Sequence, residues 1–317
     1  MTNDNHNELH VIFGTGQIGF GIMEQLHASG KHVRMVNRSG GNFPTGVESV
    51  KGDASDISFT VRAAKGATHI YNTLNPPYDK WLNLFPGLQS GVIAAAEASG
   101  AKLIVMENLY AYGHTHGKPM TESTPFNPHT RKGKLRAQMT HDLMDAHEQG
   151  RVRVTIGRAA DFVGPRGRDS ALGDLVVGNA LQGKAAQIVG NPDMLHTYSY
   201  TNDIARGLVM LGQHDEATGE AWHIPSAPAV TTKAWIEAIF AEAGQPFKLS
   251  VGPKLIMGIM GLFNPLIREI NEMRYEFEEP FVMDHSKFAA AFGDIHTPME
   301  QVVRETVNWF RANPEAE

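Results

Sequence analysis

The sequence predicts an α/β protein built on a doubly wound parallel sheet, and three observations predict it. Short apolar runs of strand length recur through the first half of the 317 residues, each followed by a stretch of helical pattern. A glycine-spaced turn, Gly14-Thr15-Gly16-Gln17-Ile18-Gly19, stands between the first such run and the first such helix. Beyond Gly164-Pro165 the rhythm changes to short strands mixed with helices, which predicts a smaller C-terminal substrate-side domain.

The elements follow in order. Val11, Ile12 and Phe13 form a compact apolar run, as expected of a strand buried on both faces. The G-x-G-x-x-G turn then opens a helix carrying Ile22 and Leu26 and stopping at Gly30. In such a turn Gly14 permits the tight bend, Gly16 lets backbone approach a pyrophosphate, and Gly19 lets the helix pack on the strand. The helix N-terminus, with Gln17 and Ile18, presents free amides and a positive dipole end to phosphate. Val33 to Val36 is the second strand, Val47 to Val50 the third, His69 to Thr73 the fourth, Leu103 to Met106 the fifth and Val152 to Ile156 the next. Helical patterns occupy Ser58 to Ala64, Tyr78 to Ser99 and about Thr130 to Gln149. Strands at Ala186 to Val189 and Ala221 to Ile224, and helices at Asn202 to Leu211, Thr232 to Ala243 and Met299 to Arg311, complete the chain. The expected division is a dinucleotide-binding Rossmann domain over residues 1–163, with return segments near 196–224, and a partly discontinuous substrate-binding domain over 164–317.

The second strand ends in Asn37-Arg38-Ser39-Gly40. Sites that prefer NAD place an acid here to hold the ribose 2′-hydroxyl. A 2′-phosphate would instead meet the Arg38 guanidinium and the Ser39 hydroxyl, so the expected cofactor is NADP(H) rather than NAD(H).

A formal charge of −6 provides no electrostatic footprint for nucleic acid. The absence of cysteine excludes disulfides, thiolate metal sites and cysteine nucleophiles. Met1 to Glu8 is polar, and the richest apolar stretch, Leu255 to Phe263, is short and glycine-punctuated. The expectation is a cytoplasmic protein with a small-molecule substrate and no membrane partner, for which a homodimer is an admitted assembly. Ile256, Met257, Met260, Phe263 and Leu266 are expected in the core or in an adaptable apolar pocket wall.

Taken together, these residues resemble the short-chain dehydrogenase/reductase superfamily in its extended, epimerase/dehydratase-like form. The resemblance covers nearly the whole chain. It is carried by the glycine turn, by Gly52-Asp53-Ala54-Ser55-Asp56, by Tyr112-Gly113 and by Thr124-Pro125-Phe126-Asn127-Pro128. Further along it is carried by Arg158-Ala159-Ala160-Asp161-Phe162-Val163-Gly164-Pro165 and by Tyr200-Thr201-Asn202-Asp203-Ile204-Ala205. It implies that Asp53 serves the adenine and that Lys134 holds the nicotinamide ribose and acidifies a proton donor. The departure lies in the catalytic set. The family's Ser or Thr position is Asn108, and its Tyr-x-x-x-Lys reads Thr130-x-x-x-Lys134. The pattern therefore looks like the atypical members that keep the nucleotide fold and lose the standard tetrad.

An alcohol is a poor proton donor near neutrality, so the proton must come from a group other than Thr130. Tyr110 and Tyr112 follow the fifth strand at the edge where doubly wound sheets bind ligands. Tyr112 reads as the structural tyrosine of the Tyr-Gly pair, which leaves Tyr110 as the phenol of interest. Asn108 could hold a carbonyl or a water through its amide. His114 and His116 lack a third metal ligand and read as a solvated loop or as proton donors, so no metal is expected. The resemblance places Asp161, His196, Tyr198 and Tyr200 at the approaches to the substrate pocket. Asp161, interrupting an apolar strand end, calls for a partner, and Asp203 reads as a helix cap or loop organiser. The function expected is hydride transfer to or from a carbonyl or alcohol of a small organic molecule. Its alternatives are an NAD(P)-dependent epimerase or dehydratase and a non-catalytic NADP(H)-binding redox sensor.

Overall fold

The computed structural model describes residues 8–314. The chain divides into two compact units. One takes in the chain up to Ala111 with Arg131–Arg158 and Ile204–Ile224; the other takes in Tyr112–Thr130, Ala159–Asp203 and the chain from Pro225 onward.

The first unit is a seven-stranded parallel sheet with helices between its strands. Its strands are β1 (Leu9–Phe13), β2 (His32–Asn37), β3 (Val47–Lys51), β4 (His69–Asn72), β5 (Lys102–Glu107) and β6 (Arg153–Arg158), with Ala221–His223 added last. They lie in the order β3-β2-β1-β4-β5-β6 followed by Ala221–His223, so the chain reverses its direction of winding beside β1. Phe13 pairs with Val36 on one side and Asn72 on the other. The doubly wound sheet predicted by the alternation of apolar runs and helices is therefore the fold observed. Between the strands run α1 (Gln17–Ala28), α2 (Ile57–Ala63), α3 (Trp81–Ser99) and α4 (Arg131–Glu148). In α1 the apolar spacing Ile18, Ile22, Met23 and Leu26 lies on the buried face. Asp56 caps α2 by accepting from the amide of Phe59 at 3.2 Å. The core is aliphatic and continuous, from Val11 and Phe13 through Ile70, Leu103 and Val105 to Val154 and Ile156.

Lys102 begins β5 and is 1% exposed. Its ammonium donates to the carbonyls of Leu211 (2.8 Å) and His214 (2.6 Å), at the end of the helix Thr201–Gln213. A cation at the negative end of a helix satisfies carbonyls that the helix leaves open.

The second unit packs around Trp235, Ile236, Ile239 and Phe240 of the helix Thr232–Ala243 and Val303, Val307 and Phe310 of the helix Met299–Ala312. Tyr198 and Tyr200 belong to this core, 1% and 3% exposed, rather than to the approaches of a pocket. Their hydroxyls bond to Thr232 and Glu305, and burial drives both phenols upward in pKa.

The apolar stripe departs from expectation. The helix Lys254–Phe263 turns Leu262 and Phe263 outward, 77% and 84% exposed, with Ile259, Met260 and Leu266 exposed as well. The reason is local: it meets the following helix, Pro265–Met273, through Gly261 against Arg268 and Asn271, and Asn271 donates to the Met257 carbonyl at 2.7 Å. The glycine side of an all-apolar helix is thus used for contact, and the bulky side is left out. The side chain of Ile256 lies outside those described. Among the described residues no helix is long and apolar enough to cross a membrane.

His10 enters β1 fully buried, stacked on His69 of β4 with ring centroids 4.6 Å apart. Burial, reinforced by the neighbouring His69, lowers its pKa to about 4. The unfolded chain takes up that proton near 6.5, so the stability contributed by neutral His10 is complete above pH 6.5 and falls as the pH drops toward 4. The loss between pH 7 and pH 5 should be about 2 kcal/mol, and His10→Phe should flatten that slope. Urea denaturation at the two pH values measures both.

Candidate functional site

The carboxyl ends of the parallel strands bring the sequence-predicted residues to one edge of the first unit. Gly14 follows β1, Asn37 ends β2, Asp53 follows β3 and Asn108 follows β5. Gly14 has φ +110°, in the region that disfavours side chains, and a Cβ there would press on the Thr73 backbone. At Gly19 a Cβ would overlap the carbonyl oxygen of Gly14, so only glycine lets α1 approach the strand end. Gly16 is the opposite case: exposed, with nothing within 4 Å of where its Cβ would stand. Two glycines are consumed by packing and one leaves a bare stretch of backbone facing outward at a helix N-terminus. Ile18 is buried beneath this turn, and Gln17 is half-buried with its Oε1 lacking a hydrogen-bond partner. The cradle fits a pyrophosphate.

Asn37 has a structural task that sequence reading did not anticipate. Its Nδ2 donates to Thr15 Oγ1 (2.8 Å) and to the Gly40 carbonyl (3.2 Å), and its Oδ1 accepts from the Gly40 amide (2.6 Å). The side chain thus folds the β2 loop onto the glycine turn, and an acid could not make the two donations. Arg38 and Ser39 follow on the exposed loop. Asp53 accepts from the amide and hydroxyl of Ser55, both at 2.9 Å, and these bonds, helped by the charge of Arg38, hold its carboxyl below the usual range. Arg38 therefore lies within electrostatic reach of Asp53.

Of the three residues considered for catalysis, Asn108 and Tyr110 are joined directly, while Lys134 is exposed on α4. Asn108 accepts from the Tyr110 amide at 3.2 Å. The Tyr110 hydroxyl accepts from that of Tyr78 at 3.4 Å, and its ring lies 5.8 Å from Trp81. The same cluster receives Lys132, whose buried ammonium sits 4.3 Å from the Tyr78 ring centroid, and Arg136, 4.5 Å from that of Trp81. Lys132 and Arg136 share one face of α4, whereas Lys134 is about 200° around the helix from each and exposed. The cations beside Tyr110 are thus Lys132 and Arg136, not Lys134. Glu107, the last residue of β5, is fully buried 3.6 Å from Arg136; burial raises its carboxyl even against the charges of Arg136 and Arg158. This pair fastens α4 to the strand end that carries Asn108.

In the second unit, Tyr112 is buried edge-on against Phe126, in keeping with a structural tyrosine. His114 stacks on His129 at 4.1 Å, and both rings lie 4.6 Å from that of Tyr275. Thr130, next in sequence after His129, is buried. Glu276, 1% exposed, is raised well above the ordinary carboxylate range by burial and by Asp161. Asp161 finds the partner its position required, His196 Nε2 at 2.8 Å. Asp203 organises a loop by accepting from both the amide and the hydroxyl of Thr297. Sequence reading missed Tyr275 and Glu276, because a run as acidic as Glu276-Phe277-Glu278-Glu279 reads as a solvated surface.

Among curated proteins, sterol-4-alpha-carboxylate 3-dehydrogenase (decarboxylating) of Mus musculus is 25% identical over 240 residues, covering 71% of this chain and 66% of the mouse protein. The chain thus spans slightly under two thirds of that relative. The dTDP-6-deoxy-L-talose 4-dehydrogenase (NAD(P)(+)) of Kitasatospora kifunensis is 26% identical over 262 residues, 77% of this chain and 81% of its own. Among solved structures, the DesIV dTDP-glucose 4,6-dehydratase double mutant of Streptomyces venezuelae, with NAD bound, superposes with a TM-score of 0.79 at 19% identity, covering 96% and 97% of the two chains. The UDP-glucuronic acid 4-epimerase of Bacillus cereus, in complex with NAD, gives 0.79 at 15% identity over 97% and 100%. At such identities these structures establish the shared fold. Residues 11–224 match the sequence pattern of the NAD dependent epimerase/dehydratase family, and with more than half of its length inside that match the chain belongs to this family.

Proposed function

We propose that the protein is an NADP(H)-dependent oxidoreductase acting on a carbonyl or alcohol of a small organic molecule. The observation that carries this reading is the bare, exposed Gly16 held between the packed Gly14 and Gly19 at the carboxyl edge of the sheet. The cofactor supplies the hydride when bound. The chain supplies the rest: backbone amides of Gly16, Gln17 and Ile18 at the pyrophosphate, Asp53 toward the adenine, and Arg38 with Ser39 at the ribose 2′-phosphate. Asn37 is committed to the loop and leaves that corner without a repelling carboxylate. The similar structures are solved with NAD, so the preference for the 2′-phosphate rests on Arg38 and its surroundings.

A carbonyl that gains hydride at carbon takes a proton at oxygen. In this reading Lys134 holds the ribose, Asn108 orients the substrate oxygen and Tyr110 donates the proton, its hydroxyl kept in place by Tyr78. An epimerase or dehydratase would use the same cradle and proton donors.

Calorimetric titration of both dinucleotides tests the cofactor. NADP(H) should bind at least tenfold more tightly than NAD(H), and Arg38→Ala should abolish the difference, since a charge-assisted phosphate contact is worth about 1.5–3 kcal/mol. Equal affinities in the parent protein would remove the NADP(H) assignment. Gly16→Val should fold normally, because its side chain enters open space, yet fail to bind either dinucleotide. Once a carbonyl substrate is found by screening for NADPH absorbance change, the variants can be compared. Tyr110→Phe should cost roughly 10²–10⁴-fold in turnover with little change in cofactor affinity. Lys134→Met should weaken cofactor binding as well. Full activity in Tyr110→Phe would remove the role from Tyr110.

A further inference from the structure

We propose that His285, Asp294 and His296 form a binding site for a divalent cation of the zinc type. One donor atom from each residue lies within 4.8 Å of the other two. His296 Nδ1 is 2.8 Å from Asp294 Oδ1, and His285 Nε2 is 3.9 Å from the same oxygen. Zinc bonds of about 2.0–2.1 Å to a tetrahedral donor set place the donors roughly 3.3 Å apart. Two of the three separations are thus within about half an ångström of that spacing, and the third, at most 4.8 Å, must close by up to about 1.5 Å around an ion.

The donors are held by a frame. His285 stands at the N-terminus of the short helix Ser286–Phe292, which is anchored by the fully buried Phe288 and ended by Gly293 at φ +89°. The chain then passes through Asp294, whose Oδ1 also accepts the His296 amide at 3.1 Å. One residue later, Thr297 fixes the loop by donating its amide and hydroxyl to the buried Asp203 at 2.6 and 2.7 Å. The side chains are 22%, 43% and 29% exposed in sequence order, which leaves a face from which an ion can enter and keep water ligands.

Donor chemistry selects the ion. Two imidazoles and one carboxylate suit zinc and its neighbours, whereas calcium and magnesium require oxygen. Such an ion would join the start of the 286–292 helix to the loop behind it.

The test is titration of Zn²⁺ into the chelator-stripped full chain at neutral pH by calorimetry, with Co²⁺ absorption reporting coordination. One site is expected, with a four- or five-coordinate Co²⁺ spectrum and a rise in thermal midpoint on zinc addition. His285→Ala, His296→Ala and Asp294→Asn should each weaken it at least 10–100-fold while keeping the circular dichroism of the parent. His114→Ala with His129→Ala, which removes a stacked histidine pair elsewhere in this unit, should leave it unchanged. No Zn²⁺ binding by the parent, or binding that survives His285→Ala and His296→Ala, would overturn the proposal.

Discussion

Backbone must approach backbone at the end of β1 more closely than any side chain permits. Gly19 lies against the carbonyl of Gly14, and Gly14 lies against the backbone of Thr73 in a conformation other residues avoid. Thr73 in turn donates its hydroxyl to the Phe13 carbonyl at 3.0 Å, so the ends of β1 and β4 and the start of α1 become one rigid corner. The exposed backbone at Gly16 is the outer surface of that corner. Its position is set by packing beneath it, so a site for a flexible, doubly charged group is prepared before any ligand arrives.

Charged groups taken out of water divide into two kinds. Lys102 is satisfied by carbonyls, Glu107 and Arg136 face each other as an ion pair at 3.6 Å, and both arrangements bind one element to another. Glu276 is buried, its carboxyl raised by burial and by the nearby Asp161, and it follows Tyr275, which packs on the His114–His129 pair. The first kind belongs to the architecture of the nucleotide unit. The second kind belongs to the other unit, where burial and a neighbouring carboxylate raise one acid well above its ordinary range.

The fold was legible because its signals are local. Apolar runs, the glycine spacing and the helix stop at Gly30 each depend on a few neighbouring residues. The need for a partner at Asp161 was legible for the same reason: an acid in an apolar strand states its requirement in one position. What could not be read depends on rotation and on distant contacts. Lys132 and Lys134 sit in one basic run, and only the packing of α3 against α4 decides that Lys132 turns to Tyr78 while Lys134 faces outward. Tyr275 reaches His114 and His129 across more than a hundred residues of sequence. The helix Lys254–Phe263 is apolar on every side, so its pattern carries no direction, and Gly261 selects the packed face.

The strand Ala221–His223 and the carbonyls that receive Lys102 come from late in the chain, yet they complete a sheet that starts at Leu9. A ribosome therefore releases six of this sheet's seven strands well before the last is available. By then Tyr112–Thr130 and Ala159–Asp203, which belong to the other unit, have already emerged and have no finished core of their own to join. The edge of β6 and the buried end of Lys102 stay uncovered through that interval. Synthesis thus exposes an unpaired parallel edge at the moment when the most unfinished chain surrounds it, which makes this stretch of translation the one most dependent on protection from aggregation.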